Sequence, residues 1–225
     1  MTHRFYLLTK RQQLILTLKL AGIFILFNLC VGIVLYLCGL AFLSLFVFAV
    51  SLSVFAPFVD VPSGVKSGSL LYYSPLLIAE KVKNNRITLH SGSLFDYYFT
   101  LDFNQAAAER KKQVFTCYVD GLLALIAQYE RKQPTSLRLK ATSYILNPRT
   151  ANKLGLTLRP VDPLQRFILY FNIINLTCAL SLLKGKLTWP NMASIYTFEG
   201  TLDELIANKV YLVALKNKLS APRAN

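Results

Sequence analysis

Acid–base or nucleophilic chemistry in this sequence has one natural home, the stretch His90-Ser91-Gly92-Ser93-Leu94-Phe95-Asp96. The chain has only 2 histidines, and the other, His3, lies in the N-terminal tail. From Arg86 to His90 the residues alternate, with Ile87 and Leu89 on one side and Arg86, Thr88 and His90 on the other, as in a half-buried strand. Ser91-Gly92-Ser93 then reads as a hairpin loop. A return strand over Leu94 to Leu101 places Phe95, Tyr97, Phe99 and Leu101 on one face. In that register His90 pairs with Leu94, and Asp96 projects from the same face on the diagonal, roughly 7–8 Å away at the backbone. A His90–Asp96 dyad activating Ser91 or Ser93 would follow. The plainer reading is a polar hairpin end whose serines serve turn chemistry. No G-x-S-x-G elbow supports the nucleophile.

Cys117 is the second nucleophile to weigh. It lies off the main apolar stripe of its helix, one turn from Asp120, and a nearby carboxylate raises a thiol's pKa. It reads as a small packing residue. Asp120, on a largely apolar helix, either faces water or meets a basic partner. There is no phosphate loop, dinucleotide glycine fingerprint, H-E-x-x-H or Cys/His cluster, so no cofactor and no metal is expected.

The element that must position all of this is the uncharged run of 39 residues from Ala21 to Val59. About 20 apolar residues cross a bilayer, so the run is too long for one span and sufficient for two. It is also too long for a signal-peptide core. Tyr36-Leu37-Cys38-Gly39 is the place to reverse, with Gly39 free to take a left-handed backbone. The expected architecture is α+β: an N-terminal two-helix transmembrane hairpin followed by one mixed soluble domain. Its divisions are a basic flank (1–13), the hairpin (14–59), a Pro/Gly/Ser-rich linker (60–69), the domain (70–219) and a tail (220–225). Arg4, Lys10 and Arg11 precede the first span, Lys19 stands at its edge and Lys66 follows the second, which puts both flanks and the domain in the cytoplasm. A cell membrane, best a bacterial inner membrane, is the expected location.

Within the domain the expected order is β-β-α-β-α-β-α-β-α. Leu70 to Ile78 is extended and broken at Ser74-Pro75. A helix from about Asn104 to Lys132 buries Val114, Tyr118, Leu122, Leu125 and Tyr129 along one stripe. Ser136 to Ile145 is a strand. Asn147-Pro148 opens a helix that Gly155 closes, Leu156 to Arg159 is a short strand, and Asp162-Pro163 opens a helix ending at Lys184-Gly185. Ala193 to Phe198 is a further strand, and a Thr201/Glu204 capping box starts a last helix toward Leu219. Inside the 163–184 helix, Phe167 to Leu183 is 17 uncharged residues. That helix is expected to be the buried centre of the domain, with an interfacial helix or a third span as alternatives.

The net charge is +14, and after Val59 there are 21 Lys and Arg against 11 Asp and Glu. Tethered at a bilayer, such a domain suits anionic lipid headgroups better than nucleic acid, for which no motif is present. Arg110, Lys111, Lys112, Arg131, Lys132, Lys184 and Lys186 are the expected membrane-surface contacts. The leading expectation is therefore a membrane-anchored binding or interaction module. A hydrolase or transferase of lipidic substrates built on His90, Ser91, Ser93 and Asp96 is the alternative. A third is an accessory subunit that meets a membrane-protein partner, or its own copy, through the small hairpin residues Gly22, Gly32, Ala41, Ser44, Ala49 and Ser51.

Overall fold

The computed structural model describes residues 3–131, 137–143 and 146–221. Among them it is mixed α+β, with 11 α-helices and a six-stranded sheet. After a short turn of helix, α1 (Arg4–Leu7), the long α2 (Lys10–Leu37) is opened by a Thr9/Gln12 capping box. Among the described residues this helix alone is long and apolar enough to cross a membrane. Gly39 turns the chain at φ +74°, and α3 (Leu43–Phe55) returns beside α2. Gly32 lies against Ser44, the Ser51 hydroxyl donates to Asn28 Oδ1 at 3.0 Å, and Phe24 stacks on Phe55 with centroids 5.0 Å apart. α3 reaches the length of a span only together with α4 (Pro57–Ser67), from which it is bent by 46°.

The expected linker is thus mostly helix. Pro57 sits in the first turn, where its missing N–H costs nothing, and Gly68 closes the end in the left-handed conformation. Val61 is buried on it, so the segment has an apolar side that its Pro/Gly/Ser content conceals.

The strands are β1 (Leu70–Ser74), β2 (Leu77–Glu80), β3 (Arg86–Ser91), β4 (Arg138–Ser143), β5 (Thr157–Arg159) and β6 (Tyr196–Thr201), in the order β1-β2-β3-β4-β6-β5. Only β3 and β4 run parallel; the other neighbours are antiparallel. The parallel pair needs a crossover, supplied by α5 (Leu94–Thr100) and α6 (Ala107–Tyr129). Register puts Leu77, Ala79, Ile87, Leu89, Leu139 and Phe198 on one face of the sheet. They form the main core with α6, with α7 (Pro148–Lys153), and with α10 (Leu202–Ala207) and α11 (Lys209–Ser220). On the opposite face Ile78 packs with Phe5, Phe95 and Phe99, whereas Arg86, His90, Arg138 and Arg159 stay exposed.

Three further expectations need correcting. Residues 94–101 are not a return strand, since Ser93 and Asp96 form a capping box that starts α5. The 163–184 helix is broken at Asn172 into α8 (Pro163–Phe171) and α9 (Ile173–Lys184), bent by 65°. Only α9 is core, with Asn175, Thr177, Ala179, Leu180 and Leu183 buried; α8 buries none of its residues. The helix after Thr201 is likewise interrupted, at Asn208. The caps at Asn147, Asp162 and Thr201 form as their sequences suggest.

Candidate functional site

The supposed dyad is taken apart by α5. Asp96 is fully buried, and its Oδ2 accepts from the Ser93 backbone N–H at 2.6 Å and the Ser93 hydroxyl at 2.7 Å. Its Oδ1 accepts from the Tyr72 hydroxyl and lies 3.3 Å from His3 Nε2. The imidazole that meets Asp96 is therefore His3. It is buried to 8% exposure among the rings of Tyr6, Tyr72, Phe95 and Phe99. The next residue, Arg4, grips the other end of α5. Its guanidinium donates to the carbonyls of Tyr98 (2.7 Å), Phe99 (3.1 Å) and Leu101 (2.8 Å), carbonyls at the helix end that lack intrahelical partners. Positive charge at a helix C-terminus is also favoured by the dipole. The N-terminal segment is thus a clamp on α5 rather than a free basic flank. Burial raises the Tyr72 hydroxyl well above the ordinary phenol range, with the Asp96 charge adding to it, and pushes Tyr6 up to about 12. The two tyrosines hold their protons tightly and His3 and Asp96 are closed to solvent, so the geometry is that of a structural lock.

His90 has a different partner, Glu80 Oε1, at 2.8 Å, with both side chains about half exposed. Ser91 follows it on the same strand, so the two side chains leave opposite faces of β3, and the hydroxyl does not address the imidazole. Ser93 is committed to the cap of α5. None of the four residues is thereby placed as a nucleophile–base pair.

His90 and Ser91 nonetheless border an apolar cavity of the domain. A cavity of about 320 Å³ lies between the core face of the sheet and α6, α7 and α11. Leu89 and Ala141 form its sheet side, Val119 and Leu122 its α6 side, and Leu212 and Leu215 its α11 side. Its polar lining comes from the carboxyl ends of the parallel strands, where register turns the side chains of Ser91 and Ser143 to the core face and those of His90 and Thr142 away from it, from the start of α7 (Asn147, Thr150), and from Tyr118 on α6. Crevices outside the carboxyl ends of strands are where open α/β sheets receive ligands; here α6 and α7 close over the same face of the sheet. The volume falls at the lower end of the range for small-molecule sites. Sequence periodicity located the strands, but it carried no sign that β3 and β4 are parallel neighbours, and that pairing makes the crevice.

The basic residues divide. Arg110 is buried at 8% exposure and its guanidinium lies at Gly185, where an added Cβ would come within 2.5 Å of Nη2. It occupies the C-terminal end of α9. Lys112 reaches the Ala221 carbonyl at 3.4 Å, and Lys111 lies over the Phe115 ring at 5.9 Å. Arg131, Lys184 and Lys186 are exposed, and Lys132 falls outside the described residues.

Burial pushes the Cys117 thiol up to about 11, the opposite of what a nucleophile needs. Asp120 meets Lys216 at 2.8 Å in a half-exposed ion pair. Among the described residues no three His, Cys, Asp or Glu side chains group in a way that could hold a metal ion. Comparison with known proteins found no matching family model, no matching curated protein and no matching solved structure.

Proposed function

We propose that this chain is a membrane-anchored binding module whose C-terminal domain holds a single-chain amphiphile, its apolar tail in the cavity and its polar head at the carboxyl ends of β3 and β4. The anchor in this reading is α2 followed by α3 with the start of α4, a two-pass arrangement in the cell membrane. Lys10, Arg11, Lys19 and Lys66 then keep both flanks and the domain cytoplasmic. The observation that carries the reading is the cavity itself, a largely apolar space with Ser91, Ser143, Asn147 and Thr150 grouped at one end. Each methylene transferred into such a space gains about 0.8 kcal/mol. Anionic lipid around the exposed Lys184, Lys186 and Arg131 belongs to the same reading.

The test uses the full-length protein in nanodiscs with a fatty acid that carries a photoreactive diazirine near its methyl end. Crosslinks are expected on α6 around Leu122 and on α11 around Leu212 and Leu215. Filling the space with Ala141→Phe is expected to lower them about tenfold, the equivalent of losing about 1.4 kcal/mol of binding. Crosslinks confined to α2 and α3, or unchanged in a well-folded Ala141→Phe protein, refute the proposal.

A further inference from the structure

A surface helix normally turns its apolar stripe inward. α8 does the reverse. Leu164, Phe167, Ile168 and Phe171 recur at the i, i+3, i+4, i+7 spacing of one helix face, and they are 67%, 69%, 42% and 54% exposed. Asp162 caps the helix through the backbone N–H groups of Leu164 and Gln165, so the helix is well formed although nothing in the fold covers that face.

The position of its other end identifies the cover. α9 continues from α8 through the bend at Asn172, and its far half packs into the domain core through Ala179, Leu180 and Leu183. Its near end reaches the apolar N-terminal helices instead, where Asn175 Nδ2 donates to the Ser53 carbonyl of α3 at 3.1 Å, in a buried contact. Ser53 is two residues before Phe55, which stacks on Phe24 of α2. Phe24 lies five residues beyond Lys19, the last charged residue before the apolar run. At 1.5 Å per residue that is about 7 Å inside the charged border. Helices that lie in the interface sink their apolar faces about 5–10 Å into the boundary between headgroups and acyl chains. Ser53 lies two residues further in than Phe55, so Asn175 fastens α9 to α3 within about 10 Å of the charged border, near the boundary between headgroups and acyl chains. From Pro163 to Lys184 there is no acidic residue, and Arg166 and Lys184 border the apolar stretch, as an anionic headgroup layer favours.

We propose that α8 is a membrane-interfacial helix, lying in the headgroup layer with Leu164, Phe167, Ile168 and Phe171 toward the acyl chains, beside the span to which α9 fastens it. This rests on the membrane-anchored reading and adds to it a second, independent contact that sets how the domain faces the bilayer.

The chain has a single tryptophan, Trp189. In a Trp189→Phe background of the full-length protein, Phe167→Trp puts a lone reporter on α8, and Phe171→Trp a second one. Val210→Trp puts a control on α11 at a position 80% exposed. In phosphatidylcholine–phosphatidylglycerol vesicles, lipid brominated next to the carbonyl is expected to quench Trp at 167 and 171 about twofold, more than lipid brominated at the chain end, in keeping with interfacial depth. The control should be quenched by aqueous iodide and not by lipid. Trp at 167 and 171 quenched by iodide like the control overturns the proposal. So does shielding from both quenchers, which marks a protein partner on that face. Flotation of the same vesicles separates the two readings. Protein that floats with unquenched α8 reporters refutes the interfacial helix alone, and protein that fails to float refutes the anchor as well.

Discussion

Replacing Asp96 with alanine tests the lock on α5, and the molecule supplies its own control. It contains two histidine–carboxylate pairs, one buried and one exposed. Asp96 accepts from the Ser93 N–H, the Ser93 hydroxyl and the Tyr72 hydroxyl, and lies beside His3, at a site closed to solvent. Its removal strands the Ser93 N–H and the Tyr72 hydroxyl, each costing about 1–3 kcal/mol if it stays dry. The loss of a charged partner and of packing adds to this, for a total of about 3–5 kcal/mol, the usual cost of breaking a buried pair. Glu80 and His90 lie at 2.8 Å, but with side chains 52% and 45% exposed. Such a pair contributes about 0–1 kcal/mol. Thermal unfolding of the full-length protein in detergent, followed by circular dichroism, converts these figures into midpoint shifts. At about 2–4 °C per kcal/mol for a chain of this size, Asp96→Ala should melt roughly 6–20 °C low and Glu80→Ala within about 4 °C of the parent. His3→Ala and Asp96→Ala should couple by about 0.5–3 kcal/mol in a double-mutant cycle. Asp96→Ala melting like Glu80→Ala, or strict additivity with His3→Ala, refutes the lock.

Gly121→Ala should destabilise by about 1–3 kcal/mol in the same melts, an overpacking effect. An added Cβ there comes within 2.7 Å of Leu77 Cβ and 2.8 Å of Ser74 Oγ, and a melt like the parent's refutes that close approach of α6 to the sheet. Stability should also fall at alkaline pH. Burial holds Tyr6, Tyr72 and Tyr73 above the ordinary phenol value. The unfolded chain releases these protons near pH ~10 while the folded one keeps them. The contribution is full below that pH and is lost as the pH climbs toward the raised values. Urea midpoints should drop between about pH 9.5 and 11.5, and Tyr72→Phe should flatten the drop; a flat profile in the parent argues against the burial of these hydroxyls.

What the sequence made legible and what it hid can be seen in two stretches. Asn147-Pro148, Asp162-Pro163 and Thr201-x-x-Glu204 announce helix starts through local hydrogen bonds, so no tertiary information is needed to read them. Ser93-x-x-Asp96 carries the same signature, yet the stretch it opens reads as a strand because Phe95, Tyr97, Phe99 and Leu101 alternate. α5 is buried on two sides. Leu94, Tyr97 and Leu101 enter one apolar cluster, and Phe95 and Phe99 another. A helix that is apolar nearly all round has no stripe, and its residues fit period 2 as easily as period 3.6. Dividing 163–184 was out of reach for a related reason. Its two halves are both apolar, and only the 65° bend at Asn172 decides that one half is core and the other is not. The candidate site was half legible: His90 and Ser91 do border a cavity, but His3 joins Asp96 across 93 residues of sequence, which no spacing reveals.

These long-range ties change how the apolar helices relate to the domain. A Pro/Gly/Ser linker would leave the domain free to swing at the bilayer, and a fragment starting at Asp60 would then be a complete unit. Instead the chain on both sides of α2 is built into the domain. His3, Arg4 and Phe5 close over α5 before α2 begins, and α4 carries Val61 into the same cluster after α3 ends. Asn175 then bonds α9 to α3 directly. A fragment cut at Asp60 would expose Phe95 and Phe99, leave the end of α5 without Arg4 and remove the imidazole from Asp96, so its failure to fold would say nothing about ligand binding. The domain and the apolar helices are one packed body, and any ligand held in the cavity is held at a fixed attitude to the helices that enter the membrane in the proposed reading.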